Sequence, residues 1–143
     1  MTDDRADIHD LYARYVSALN TKAYELFDTV FLPDAVVDAT AFGGIVAPWP
    51  EFRPWLLRAV APMAWCQYRT HNVLAQIDGS MAAVRAPFSA DVGLPSGGIT
   101  YHVRDAGTYV DELVRTADGW RVRHRVEEFI FITGLPPDFA VPE

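Results

Sequence analysis

Residues 63–79 read MAWCQYRTHNVLAQIDG, and the other segments of the chain are arranged to cover them. The stretch opens in aromatic and polar residues and settles into an apolar/polar alternation at Val73, Ala75 and Ile77. Alternation of period two marks a half-buried strand, and Asp78-Gly79 is a strong hairpin signal. A strand that carries Cys66, Tyr68, Thr70, His71 and Asn72 ahead of a plain core alternation predicts a pocket wall.

Upstream of this strand the pattern is helical. Ile8, Leu11, Tyr12, Tyr15, Val16 and Leu19 recur at three- and four-residue spacing, which predicts an amphipathic helix from about Asp4 to Leu19. Thr2, Asp3 and Asp4 suit its N-terminus by capping and by complementing the helix dipole. Asn20-Thr21 breaks it, and a second short helix carries Tyr24, Phe27, Val30 and Phe31 until Pro33-Asp34. Ala35–Thr40 reads as a strand, and Gly43-Gly44 as a turn. A third helix runs over Pro48–Pro62, with its prolines early, where a first helical turn tolerates them.

Downstream, three strands are predicted at about Met81–Val92, Ile99–Thr116 and Trp120–Thr133. The GLPSGG loop (93–98) and the Ala117-Asp118-Gly119 turn connect them, and a proline-rich tail over 134–143 is irregular. Helices first and long strands last predict an α+β domain spanning residues 1–143: a strongly bent antiparallel sheet with helices on one face.

Composition narrows the function classes. The chain has 143 residues, of which 50% are hydrophobic and 13% aromatic, enough to bury a real core without cross-links. The single Cys66 excludes an internal disulfide framework and a cysteine-rich metal site, and no close histidine spacing suggests another metal centre. With a net charge of −7 and Lys22 the only lysine, nucleic acid and anionic membrane surfaces are poor partners. No long apolar run or leader is visible, so a soluble, cytoplasmic protein is expected. Arg121, Arg123 and Arg125 alternate along the last strand and read as a solvated or interface face.

Four stretches carry a family resemblance: IHDLYARYVSALN (8–20), LFDTVFLPDAVVD (26–38), HNVLAQIDG (71–79) and GTYVDELVRTADGWRVRHR (107–125). In these and in the order of elements, the chain resembles the SnoaL-like branch of the nuclear transport factor 2-like superfamily. That branch includes scytalone dehydratase, a bile acid dehydratase, hexachlorocyclohexane dehydrochlorinase and folds of the ketosteroid isomerase type. The resemblance implies a cone-shaped domain whose curved sheet wraps the helices around a deep apolar pocket. It also implies cofactor-free chemistry and association of two or three subunits through the outer sheet face. Enzymes of this branch use a histidine base on the opening strand, oriented by an aspartate at the end of the first helix. Carried over by position, Tyr15 matches a family tyrosine and Asp91 an acidic group on the following strand. Asn20 stands where the aspartate belongs, and Tyr68 where the histidine belongs. Both halves of the dyad are therefore replaced.

The remaining candidates are weighed by register. His71 shares a strand face with Val73, Ala75 and Ile77, and joins Tyr68 only if the strand bulges between them. His124 shares a face with Trp120, Val122 and Val126, which points it at the core or the pocket from another wall. Asp91 alternates with Arg85 rather than with Phe88, so only its spacing from Asp78 favours the site. Trp49, Trp55 and Trp65, with Phe42, Phe52, Cys66 and Phe88, supply apolar walls for a flat or cyclic ligand. The expected activity is proton transfer next to a carbonyl of an apolar, cyclic or polyketide-like molecule: dehydration, isomerisation or ring closure. His71 or His124 is the expected base, with Asp91 its electrostatic partner; Tyr15, Tyr68 and Asn20 hold the carbonyl. The alternatives are a non-catalytic binding module and a cyclase that acts by shape alone. Convergence of the imidazoles on Asp91 or Tyr15 in a dry cavity separates the first reading from the others, and Asn20→Asp is expected to restore dehydratase chemistry if the scaffold is intact.

Overall fold

Residues 3–143 are described by a computed structural model. Helix α1 spans Asp4–Asn20, with Ile8, Leu11, Tyr12, Tyr15, Ala18 and Leu19 on its buried stripe. Asp3 caps it by accepting from the backbone N–H groups of Arg5 and Ala6. Thr2, the other expected cap, lies outside the described residues. Lys22 then takes a left-handed conformation, φ 59°, and a 3-10 turn over Tyr24–Thr29 buries Phe27.

Strand β1 covers Phe31–Asp38, so it starts before Pro33 rather than after it. Its register slips between Phe31 and Val36, which spares Pro33 a place in a ladder to which it has no N–H to give. Strand β2 is Val46–Pro48 and helix α2 is Trp49–Val60, with Pro48 as N-cap and Pro50 in the first turn. Trp49, Phe52, Trp55, Leu56 and Val60 form the buried face of α2.

The remaining strands are β3 (Trp65–Thr70), β4 (Leu74–Asp78), β5 (Met81–Ser96), β6 (Ile99–Thr116) and β7 (Gly119–Thr133). They make one bent sheet in the order β2-β1-β7-β6-β5-β3, with β4 also paired to β5. β1 runs parallel to β7, and the other pairs are antiparallel. The helices fill the inner face of this α+β fold, where α1, α2 and the sheet share one core.

Three local features differ from the periodicity reading. The stretch 63–79 is two strands, not one. β3 lies on Phe88–Gly93 and β4 on Met81–Arg85, and between them Asn72 takes φ 46°. The GLPSGG segment is mostly strand: Ser96 pairs with Ile99, and only Gly97-Gly98 turn, both with positive φ. The third difference positions the site. Glu112 pairs with His124 but Leu113 with Val122, and Ala106 pairs with Phe131 but Gly107 with Phe129. Arg123 and Ile130 are therefore extra residues in β7, and each reverses the side-chain alternation beyond it. Trp120 and Val122 point inward, and after the first bulge Arg125 does. His124, expected inward, is exposed, and Arg125, expected on a solvated or interface face, is 1% exposed.

Candidate active site

The inner face of β5, β6 and β7 forms the floor of a cavity of about 370 Å³. Tyr15 and Leu19 of α1, Trp55 and Leu56 of α2, and Tyr68 of β3 line its walls. Phe42 and Phe88 add aromatic surface, while Leu135 to Pro142 pass across one side. The tail is tied down there: Trp55 Nε1 donates to the Pro142 carbonyl at 2.9 Å, and Ser96 Oγ to Asp138 Oδ1 at 3.0 Å. Gly107 is required in the floor, because a Cβ would come within 2.3 Å of the Glu128 carbonyl oxygen and 2.9 Å of Phe88.

Beside this floor, on the same inner face, lies a charged layer. Arg125 donates from Nε to Asp111 Oδ1 at 2.9 Å and from Nη2 to Oδ2 at 2.8 Å, and both residues are buried. Tyr12 donates its hydroxyl to Asp111 Oδ2 at 2.6 Å. The guanidinium carbon sits 3.9 Å from the ring centroid of Tyr109 and 4.4 Å from that of Tyr15. Tyr109 is held from its other side by Phe88, stacked at 4.1 Å. Two tyrosines are thus fixed by a buried cation that the sequence places on the surface.

Two carboxyl groups enter the same cavity from the sheet, Asp105 from β6 and Glu127 from β7, and Asp138 of the tail is a third. Asp105 is opposite Ala90, which is opposite Tyr68, so Asp105 and Tyr68 share one row of the inner face. Glu127 is opposite Tyr109. Burial pushes the Asp105 carboxyl up to about 6, with the charge of Asp91 adding to the shift. Burial also pushes Glu127 up to about 7, opposed by Arg125 and reinforced by Asp111 and Asp105. Asp105 Oδ1 is buried without a hydrogen-bond partner among the described residues. The tyrosines move the other way from usefulness as bases. Burial raises Tyr15 to about 12 and holds Tyr68 and Tyr109 well above the ordinary phenol value. They remain neutral hydroxyl donors, while Glu127 is poised to exchange a proton near neutrality.

Of the residues singled out from sequence, Tyr15, Tyr68, Trp55 and Phe88 line the cavity. His71 does not. It is exposed, with Nε2 2.8 Å from Ser89 Oγ, because the break at Asn72 leaves no bulge that turns it inward. His124 is exposed through the first β7 bulge. Asp91 lies outside the cavity, paired with Arg69, His102 (2.7 Å) and Arg104 (3.2 Å), as its alternation with Arg85 implies. His71 and His124 therefore do not converge on Asp91 or Tyr15, and base catalysis by either loses its geometric footing. Trp49 packs on Phe31 at 4.3 Å, away from the cavity, and Trp65 is 45% exposed against His102.

Asn20 and Cys66 act from behind the wall. The Asn20 carboxamide accepts from the Tyr68 N–H at 2.7 Å and donates to the Tyr68 carbonyl at 3.0 Å. Cys66 Sγ donates to the Leu19 carbonyl at 3.3 Å. An amide has both a donor and an acceptor and so satisfies both groups of an edge strand; a carboxylate satisfies one. Sequence reasoning missed Asp105, Tyr109, Asp111, Arg125 and Glu127. The alternation Val103, Asp105, Gly107, Tyr109, Asp111, Leu113 carried the signal for β6, whereas Arg125 and Glu127 depend on a bulge. Among the described residues, no group of three or more histidine, cysteine, aspartate or glutamate side chains is placed to hold a metal ion.

The family model of the SnoaL-like domain matches residues 1–126. The chain belongs to the SnoaL-like domain family. This SnoaL-like domain is 34% identical over 130 residues to an uncharacterized Mycobacterium tuberculosis protein, Rv2910c, covering 90% of this chain and 86% of that protein. The Kfla4162 protein from Kribbella flavida superposes with a TM-score of 0.82 at 24% identity, over 91% of this chain and 93% of that one. Hexachlorocyclohexane dehydrochlorinase LinA-type3 from Novosphingobium barchaimii does so with a TM-score of 0.77 at 18% identity, over 97% and 94%. At these identities the likeness is one of fold. Glu127 follows directly after the segment that the SnoaL-like model matches, and the cavity-lining tail lies beyond the end of β7.

Proposed function

We propose that this SnoaL-like domain is a cofactor-independent lyase, isomerase or cyclase. It acts by proton transfer next to a carbonyl of an apolar cyclic or polyketide-like molecule. The observation that carries this reading is Glu127, a cavity-lining carboxyl with its pKa pushed up to about 7 in an aromatic pocket. Small hydrophobic ligands are typical of the family, and its members include dehydratases, dehydrochlorinases and isomerases. In this reading Glu127 takes the proton from the carbon beside the carbonyl, and Tyr15 or Tyr68 donates its hydroxyl to the developing enolate oxygen. The fixed ring of Tyr15 keeps that donor in place at no cost in reorganisation during the reaction.

A cyclic aryl ketone such as tetralone in heavy water tests this without knowledge of the physiological substrate. The protein is expected to catalyse deuterium incorporation next to the carbonyl, and Glu127→Gln to slow it by about 10²–10⁴-fold. An unchanged rate in that variant refutes the role of Glu127. The second reading, a binding module, is favoured by the placement of the expected dyad: among the described residues no histidine lines the cavity, and Asn20 is committed to the backbone of Tyr68. Tight ketone binding with no exchange supports it.

A further inference from the structure

Arg125 and Asp111 lie outside the cavity lining, yet they are buried beside it as a closed pair. A buried ion pair adds little stability that apolar residues of the same volume do not supply, so stability does not account for it. Its orientation points elsewhere. Asp111 is opposite Arg125 on the β6–β7 ladder, and Tyr109 is opposite Glu127. Arg125 and Glu127 are therefore neighbours on the inner face, with Cα atoms about 7 Å apart. The guanidinium reaches toward the Glu127 row: its carbon lies 3.9 Å from the ring centroid of Tyr109. Nε and Nη2 are turned to Asp111, while Nη1 is buried with no hydrogen-bond partner among the described residues. The carboxylate end is anchored by the Tyr12 hydroxyl, and Tyr15, one turn further along α1, meets the guanidinium at 4.4 Å. The pair is neutral as a whole, but it is a dipole. Of the charged groups acting most strongly on Glu127, Arg125 is the one cation and outweighs Asp111; Asp105 of β6 and Asp38 of β1 oppose it. The other groups around the cavity are the neutral hydroxyls of Tyr15, Tyr68 and Tyr109, and Arg58 and Asp138, already engaged with Glu143 and Ser96.

We propose that Arg125, Asp111 and Tyr12 form a fixed dipole whose guanidinium end favours the proton-accepting form of Glu127, with Asp111 moderating the effect. A lone guanidinium in that place draws a carboxyl down toward the ordinary glutamate range, where it is a weak base. With no charge there, burial keeps the carboxyl protonated near neutrality. A neutral pair with its positive end toward Glu127 gives the intermediate case. All three are positioning residues: none lines the cavity, and each acts through Glu127 or Tyr15. The use of the dipole rests on the proton-transfer reading of Glu127, but its own test is a titration, not turnover.

NMR titration of the Glu127 side-chain carboxyl carbon, in the full chain and in two variants of it, decides the matter. Asp111→Asn strips the negative end, and the Glu127 midpoint is expected to fall by about one pH unit. Arg125→Met with Asp111→Leu and Tyr12→Phe removes the dipole without stranding a charge. Its midpoint is expected to rise by about half a pH unit, because the guanidinium end outweighs the carboxylate end. A circular dichroism spectrum matching the parent is the control for folding, and the triple variant decides alone if Asp111→Asn does not fold. A midpoint that stays or falls in the triple variant overturns the proposal, since a merely structural pair leaves Glu127 untouched. So does an unmoved or raised midpoint in folded Asp111→Asn. Failure of the triple variant to fold also overturns it, because the pair is then needed for stability. Deuterium exchange into the ketone separates the two readings. The expected shifts in a protein without exchange leave the dipole standing and remove the base; exchange that depends on Glu127, with no shift in the triple variant, does the reverse.

Discussion

Arg125 and Asp111 place a full ion pair beside the cavity on the inner sheet face, 1% and 4% exposed, with the Tyr12 hydroxyl as a third member. A buried pair contributes little net stability, but breaking it strands a charge. Arg125→Met leaves Asp111 with only Tyr12 as a donor, and is expected to cost about 3–5 kcal/mol in urea denaturation. Replacing all three residues, as Arg125→Met with Asp111→Leu and Tyr12→Phe, is expected to recover most of that loss, because no charge is then left unpaired. A single variant as stable as the parent contradicts the buried pair. The periodic reading puts Arg125 in solvent for a sound local reason: it alternates with Arg121 and Arg123, and only the extra residue in β7 turns it inward.

At the scale of elements, the α1 terminus is joined to the edge strand β3 by Asn20, whose amide pairs with both backbone groups of Tyr68. Asn20→Asp removes the donor to the Tyr68 carbonyl and sets a negative charge against it. The expected result is a loss of about 1–3 kcal/mol and faster amide exchange at Tyr68, with no gain of dehydratase activity. Unaltered exchange at Tyr68 contradicts the clamp. The main elements were legible from sequence because their signals are local. The α1 stripe, the apolar face of α2, and the long runs of β5 and β6 follow from period and from Gly and Pro placement. What was not legible depends on long-range pairing. Asn72 splits the opening stretch because β3 and β4 meet different parts of β5, and the two β7 bulges exist only against β6. The parallel pairing of β1 with β7 has no local signature. The site followed the same division: Tyr15, Tyr68, Trp55 and Phe88 were reachable by register, and Glu127 was not.

For the whole molecule, these features converge on one cavity with aromatic walls, neutral phenols and two raised carboxyls. Because burial raises both carboxyls above their unfolded values, their contribution to stability is complete at acid pH. It is lost as pH rises through about 6 for Asp105 and about 7 for Glu127. Base activity runs the opposite way, since the ionised Glu127 is the reactive form and accumulates above about 7. The fold therefore gives up a little stability at the pH where the proposed base is competent. The most direct measurement is an NMR titration of the Glu127 side-chain carboxyl carbon, assigned by its absence in Glu127→Gln. A midpoint near 7 is predicted, and a midpoint in the ordinary glutamate range, about 4.3, contradicts the account.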